Sequence, residues 1–473
     1  RGSFVFSSEL KPILNLPEFD AEVSIDQIAE YLCLQYVDGE SSFYKNAFKV
    51  EPGHWAEINE RGEIHKESYF EFNPGFDPYE NRSLDDLTDE LEELLVRSIK
   101  RRLVSDVPIG AFLSGGVDSS TVVALISKKL NLPIKTFSIG FENTEKSEHV
   151  FARKMAMHLG SEHYEKVLPQ DYISQLDVLG KLIDEPNADN SFLPTYELSK
   201  FAREKVTVAI SGDGADELFG GYHRYHKTMA EKGLHTLPQG NRYYSNRFFI
   251  FDENELSSFL PNPSVEFFNK IQSLREEINT ENLLANMRKS DVKHYLPGAV
   301  LAKVDRMSMA HGLEVRTPFL NHEIAAFAEK IPEKFLYYKG KGKIILKNLA
   351  SRYIPKNWLE RRKTGFGIPM QGWGDEFLKN KFSQKQEKSA VNTNWWYYPT
   401  FENRLSLHKS FNNYQLWALN LLSSYFEKNK YYTQIEVSIE KQFELEYLLS
   451  NINKKSLFYS NNKTPDWVFR IST

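Results

Sequence analysis

The sequence predicts an α/β protein built on a doubly wound parallel sheet, followed by a mainly helical C-terminal part. From Ser83 onward, short apolar runs alternate with long amphipathic stretches, the pattern of parallel strands joined by crossover helices. Two glycine-rich loops, Ser114-Gly115-Gly116 and Ser211-Gly212-Asp213-Gly214, each follow such a run directly. Sheets of this kind bind ligands there, beyond the carboxyl ends of their strands. The 473 residues also exceed the roughly 100–200 of one domain, which leaves room for a second unit.

Taken in order, residues 1–75 open with Ser3-Phe4-Val5-Phe6-Ser7-Ser8, a partly alternating strand. A helix follows from about Ser24 to Leu34, then a hairpin of Trp55 to Asn59 and Arg61 to His65. These elements are too few to close a core of their own. Because the sequence begins on Arg1-Gly2 without methionine and runs straight into a strand, the expectation is that an N-terminal part is missing. The turn formers Asn73-Pro74-Gly75-Phe76-Asp77-Pro78 mark a boundary. Leu87, Leu91, Leu94, Leu95 and Ile99 stripe one face of the next helix. Strands are predicted at Val107 to Leu113, Ile134 to Gly140, His163 to Leu168 and Val206 to Ile210, with helices centred near Val123, Met155 and Leu176. Beyond Phe219 the chain reads as helical, through Arg306 to His311 and Glu323 to Lys330. The predicted units are 1–75, 76–429, and a tail, 430–473, rich in Asn, Lys and Tyr and without readable chemistry.

Composition narrows the function classes. Hydrophobic residues make up 41% and charged residues 26%, as in an ordinary globular protein. With a net charge of −5 and no long basic block, nucleic acid is not an expected partner. No apolar run reaches the roughly 18–20 residues that span a bilayer, so no membrane is expected either. The one cysteine, Cys33, excludes an intrachain disulfide framework and suits a reducing compartment, so the expected location is the cytoplasm. Within its apolar helical pattern Cys33 reads as a small core residue rather than a nucleophile. A homodimer stays open.

The chemistry concentrates in Leu113-Ser114-Gly115-Gly116-Val117-Asp118-Ser119-Ser120, where a strand ends, glycines turn the backbone, and Ser and Asp lead into a helix. Free amides and the positive end of the helix dipole favour a phosphate there, and Asp118 can hold Mg²⁺ against its oxygens. A lone Ser-Gly-Gly would be an ordinary tight turn. The Gly-Lys-Ser/Thr that closes a Walker loop is absent, which disfavours γ-phosphate transfer.

This octet resembles the pyrophosphate loop of the N-type ATP pyrophosphatases, which cleave ATP between its α and β phosphates. Three further segments resemble the synthetase domain of glutamine-hydrolysing asparagine synthetase: Ser211 to Tyr222, His311-Gly312-Leu313-Glu314-Val315-Arg316-Thr317-Pro318-Phe319-Leu320, and Arg361-Arg362-Lys363-Thr364-Gly365-Phe366-Gly367. The resemblance covers about residues 80–425 and implies an adenine nucleotide alpha hydrolase-like sheet that binds ATP. Residues 1–75 resemble the closing part of an Ntn-type glutaminase domain, an α+β remnant around Phe4 to Lys11 and Pro52-Gly53-His54. The cysteine with which that domain begins is not at position 1, which is Arg1.

Residue by residue, the resemblance assigns Leu113, Ser114, Gly115, Gly116, Asp118, Ser119 and Ser120 to ATP or its pyrophosphate, Ile139 to the adenine edge, and Ser211 and Gly212 to the rest of the nucleotide site. Asp118 and Asp216 become the Mg²⁺ ligands. Lys363 matches the catalytic lysine, whose ammonium would meet negative charge growing at the α-phosphate and acyl oxygen. Asp213 stands where the best-known asparagine synthetases carry glutamate and β-lactam synthetase carries tyrosine. It is the candidate base for the attacking ammonia, against the plain alternative of a turn former. Asp184-Glu185-Pro186 resembles a segment near the substrate end of the site, although a solvated loop accounts for it nearly as well. Glu314 and Arg316 read as a buried ion pair, and Lys343 as a surface lysine at a helix start.

The implied reaction adenylates a carboxylate, aspartate first, and passes ammonia, free or from glutamine, to it. Two alternatives keep the ATP chemistry and change the acid: amidation of another carboxylate such as a surface-polysaccharide uronic acid, or ring closure as in β-lactam synthetase. A third, from another class, is a nucleotide-binding module without catalysis.

Overall fold

The structure, a computed structural model, describes residues 4–142, 147–232, 239–247, 250–260, 263–361, 366–374, 376–383, 411–428 and 468–471. Near the N-terminus lie the strands β1 (Val5–Ser7) and β2 (Ala47–Val50) and the antiparallel hairpin of β3 (His54–Ile58) and β4 (Ile64–Ser68). The predicted helix is Ile25–Leu34, begun by Ser24, whose hydroxyl accepts the Gln27 amide. The strand Val468–Ile471 runs parallel between β1 and β2.

The N-terminal elements do share their core with the rest of the chain. Phe43 packs edge-on against Tyr425, with ring centroids 5.6 Å apart, and the Tyr44 and Tyr425 hydroxyls are 2.6 Å apart. Tyr31 donates to the Ala418 carbonyl at 2.9 Å. All three contacts fall on the helix Asn413–Lys428. Cys33 is fully buried, and burial pushes its thiol pKa well up, as befits an inert core residue.

The first long helix, Leu84–Arg102, is capped by Ser83, with acids in its first turn and Lys100, Arg101 and Arg102 in its last, matching the helix dipole at both ends. Its predicted apolar stripe is buried. The central sheet contains β5 (Ile109–Phe112), β6 (Lys135–Phe141), β7 (Glu162–Leu168), β8 (Val208–Ile210) and β9 (Glu314–Arg316) in the order β7-β6-β5-β8-β9, all parallel. β5 is shorter than predicted because Pro108 has no amide to donate; its carbonyl instead accepts from Thr207. β9 is not among the strands predicted from the sequence, since three residues carry too little periodicity.

From β5 the chain winds to β6 and β7 on one side, and from β8 to β9 on the other. The crevice between the carboxyl ends of β5 and β8 is therefore the topological switch point, where such sheets bind ligands. Beyond β8 the described chain is mainly helical. It includes the widely wound helix Asp291–Leu301, with Pro297 inside it, and the helices Ala302–Met309, His322–Glu329 and Ile344–Ala350. Among the described residues no helix is long and apolar enough to cross a membrane.

Candidate active site

Both glycine-rich loops open into this crevice. Gly115 has φ +75°, and a Cβ there would come within 2.8 Å of the Phe151 backbone, so the turn can pass the start of the helix His149–Leu159 only as glycine. Gly116 caps the helix Val117–Ala124, whose start has no side-chain cap. The loop holds itself in shape: the Gly116 amide donates to the Ser114 hydroxyl and the Ser114 amide to the Ser119 hydroxyl, each at 3.2 Å. Leu113 and Ser120 are buried beneath the loop, and among the described residues the hydroxyls of Ser120 and Ser211 find no hydrogen-bond partner. Ile139 is buried on β6.

The second loop closes directly on the first. A Cβ on Gly212 would meet the Ser119 amide at 2.9 Å and Asp118 Cβ at 3.1 Å. That contact brings Asp118 and Asp216, from loops nearly a hundred residues apart in sequence, to one point. A third side chain, Lys343, lies at that point. Its ammonium donates to Asp118 Oδ1 and lies 2.7 Å from Asp216 Oδ1. Lys343 is 5% exposed and takes the left-handed conformation, φ +57°, at the start of Ile344–Ala350. The surface position expected from the sequence is thus corrected. Gly221 leaves the space, since a Cβ there would lie 1.9 Å from Lys343 Cε.

Two carboxylates bridged by one ammonium are a suitable donor set for Mg²⁺, which takes one or two carboxylates and completes its shell with phosphates and water. No group of three or more His, Cys, Asp or Glu that could hold a metal occurs among the described residues.

Behind Asp216, Glu217 is almost fully buried and accepts from the Tyr222 hydroxyl at 2.5 Å. Burial, and then the neighbouring Asp216 charge, raise its pKa to about 7. Arg224 stacks over the Tyr222 ring at 3.6 Å and pairs with the buried Asp291, which also accepts from Tyr225 at 2.5 Å. The far wall carries Lys303, which donates to Ser191 Oγ at 2.7 Å and lies 3.2 Å from Asp189 Oδ2. Burial alone would lower its pKa, but Asp189, with help from Tyr295 and Asp213, raises it. Asp213 itself is half-buried on the second loop.

Lys363 lies outside the described residues, but both flanks of its segment are placed. Arg361 pairs with Glu148 at 2.9 Å and stacks over Phe151 at 4.0 Å, beside the Gly115 turn. On the other side the Ile368 amide donates to the Asn190 carbonyl at 3.2 Å.

Two other expectations are corrected. Asp184 and Glu185 are not a solvated loop: Asp184 accepts from the Leu10 amide at 2.9 Å and from Arg306 at 3.0 Å, and Glu185 accepts from the Phe43 amide at 2.7 Å. They dock the N-terminal elements. Glu314 and Arg316 do pair, at 2.6 Å, but the Glu314 side chain is 55% exposed, so the pair is not buried. Lys343, Glu217 and Lys303 are the candidate site residues that the sequence did not mark.

A parallel sheet whose switch point joins a pyrophosphate-type loop, two carboxylates and a buried lysine defines an ATP-using α/β enzyme. More particularly, the chain belongs to the asparagine synthase family: residues 90–428 match Asparagine synthase, and residues 1–70 match a Glutamine amidotransferase domain. It is 31% identical over 427 residues to glutamine-hydrolyzing asparagine synthetase 1 of Bacillus subtilis (strain 168), covering 82% of this chain and 67% of that protein. It is 30% identical to a putative glutamine-hydrolyzing asparagine synthetase of Mycobacterium tuberculosis (strain ATCC 25618 / H37Rv), covering 79% of this chain and 62% of that protein. The chain thus spans about two thirds of the length of these relatives. Among solved structures, NMN synthetase from Francisella tularensis shares 17% identity over 48% of this chain and 93% of that one, with a TM-score of 0.23, too loose a fit to carry an argument.

Proposed function

We propose that this chain adenylates the side-chain carboxylate of aspartate with ATP, releases pyrophosphate, and transfers ammonia to the acyl group, giving asparagine and AMP. The observation that carries this reading is the meeting of Asp118, Asp216 and Lys343 where two glycine loops abut at the switch point. The Ser114 to Ser119 turn takes the pyrophosphate, and Ile139 lies along the adenine edge. Asp118 and Asp216 hold Mg²⁺, which neutralises phosphate charge. Lys363 supplies a cation at the α-phosphate and acyl oxygen as charge grows there. Asp213 accepts a proton from ammonia as the nitrogen attacks. The nitrogen comes from glutamine or free ammonia, and the enzyme works in the cytoplasm.

No site observation favours a uronic acid, a ring closure or a module without catalysis. The test is pyrophosphate release from ATP and Mg²⁺ with aspartate and ammonium, against other carboxylates, repeated on Lys363→Ala. Release with aspartate that is lost in the variant supports the reading. Release only with another acid moves the substrate, and ATP binding without release defeats the catalytic reading.

A further inference from the structure

Resting on Asp118 and Asp216 as metal ligands, we propose that Lys343 is a resident counter-ion that keeps divalent metal out of the nucleotide-free site, so that the metal enters only together with ATP. The ammonium sits between the two carboxylates, where a bridging cation belongs, and contacts an oxygen of each. It is held there by design of the backbone. Lys343 adopts a left-handed conformation that costs a non-glycine residue energy. Gly342 before it has room for no Cβ, which would fall 2.2 Å from His226 Nε2 and 2.6 Å from the Gly220 carbonyl, and Gly221 leaves space for the lysine stem. A lysine wanted only near phosphate would not need burial between carboxylates.

The charges explain the consequence. Two carboxylates and one ammonium leave a net single negative charge, a weak attraction for a hydrated Mg²⁺ that gives up water reluctantly. The metal and the ammonium also compete for the same oxygens. Nucleotide changes the balance, because its phosphates supply oxygens to the metal and a new anionic partner to the lysine. The four-carbon stem lets the ammonium leave the carboxylates without backbone movement. Metal uptake then depends on nucleotide, and the unliganded carboxylates never face each other without a cation.

Mn²⁺ titration, read by the electron paramagnetic resonance of the free ion, tests this on the intact protein with and without α,β-methylene-ATP, whose α–β link cannot be cleaved. Wild type should take up Mn²⁺ tightly only with the analogue. Lys343→Met should bind Mn²⁺ without nucleotide at least about tenfold more tightly than wild type, as removing a cation a few ångströms away requires. Lys343→Arg should show no gain, and Asp118→Asn in the Met background should abolish it. If Lys343→Met does not fold, Lys343→Gln, neutral and of similar length, takes its place. Equal nucleotide-free affinity in wild type and the neutral variant overturns the proposal while leaving the metal ligands standing. Mn²⁺ uptake by wild type with the analogue that Asp118→Asn does not weaken defeats the ligand reading itself.

Discussion

Arg361 holds Glu148 Oε1 at 2.9 Å while its guanidinium stacks on Phe151, so the segment leading to Lys363 is fastened to the helix that borders the Gly115 turn. A bidentate-capable, planar cation suits such a double contact better than lysine would. Glu148→Gln keeps the shape and removes the charge. It should lower the rate of pyrophosphate release by roughly 10–100-fold with little change in KM for ATP if Lys363 acts as proposed, because misplacing a catalytic group by about an ångström costs that much. Steady-state kinetics on the variant decides it. A change confined to KM would place Arg361 in nucleotide binding instead.

Gly212 makes a separate prediction. Its missing Cβ would stand 2.9 Å from the Ser119 amide, a backbone atom that cannot step aside cheaply. Gly212→Ala should therefore part the two loops and weaken binding of α,β-methylene-ATP by about tenfold, that is by about 1.4 kcal/mol, within the roughly 1–3 kcal/mol typical of overpacking. Calorimetric titration well below the unfolding temperature measures this. Unchanged affinity would mean that the loops separate without disturbing the nucleotide site.

The sequence revealed what is local and hid what is long-range. The octet from Leu113 to Ser120 was legible because strand, glycine turn and helix start are contiguous, and each leaves its own residue signature. Lys343 was not, since its partner Asp118 is 225 residues away and nothing in Lys341-Gly342-Lys343 announces burial. The docking role of Asp184 and Glu185 was hidden for the same reason: Leu10 and Phe43, which bond to them, lie 174 and 142 residues earlier. β9 was too short for its alternation to stand out.

Asp184 leads to a third prediction. It is 4% exposed and joins Arg306 to the Leu10 amide, so Asp184→Ala strands a buried guanidinium and a backbone donor together. Asp305 still pairs with Arg306, which limits the damage. The expected loss is on the order of 3 kcal/mol, as for a broken buried pair. Urea unfolding should register it, and limited proteolysis should cut residues 4–50 sooner than in wild type. Stability within 0.5 kcal/mol of wild type, the range of an unremarkable surface change, would rule out this docking role.

The last prediction concerns pH. His294, on the widely wound helix, lies 2.8 Å from Asp38 and 3.1 Å from Glu277, whose other partner is Lys293. Burial alone would lower the His294 pKa, but the Asp38 charge and hydrogen bond, helped by Glu277, raise it to about 9 from 6.5. Asp38, where burial acts upward and His294 outweighs it, is held well below the usual carboxylate range. A raised histidine stabilises the fold fully below its unfolded value and loses that contribution as pH climbs through the folded one. A depressed carboxylate contributes above its unfolded value and loses it in acid. The clasp is therefore complete between about pH 4 and 6.5 and fades from 6.5 to 9. Counted once for the pair, the fading amounts to on the order of 3 kcal/mol. Because Asp38 belongs to the N-terminal elements and His294 to the helical part, the protection of the Ile25–Leu34 amides, the slowing of their exchange relative to an unstructured amide at the same pH, should fall over that alkaline range. In His294→Gln the protection should already be low at pH 6.5 and nearly independent of pH up to 9. A wild-type profile as flat as the variant's would show that the clasp does not govern this docking.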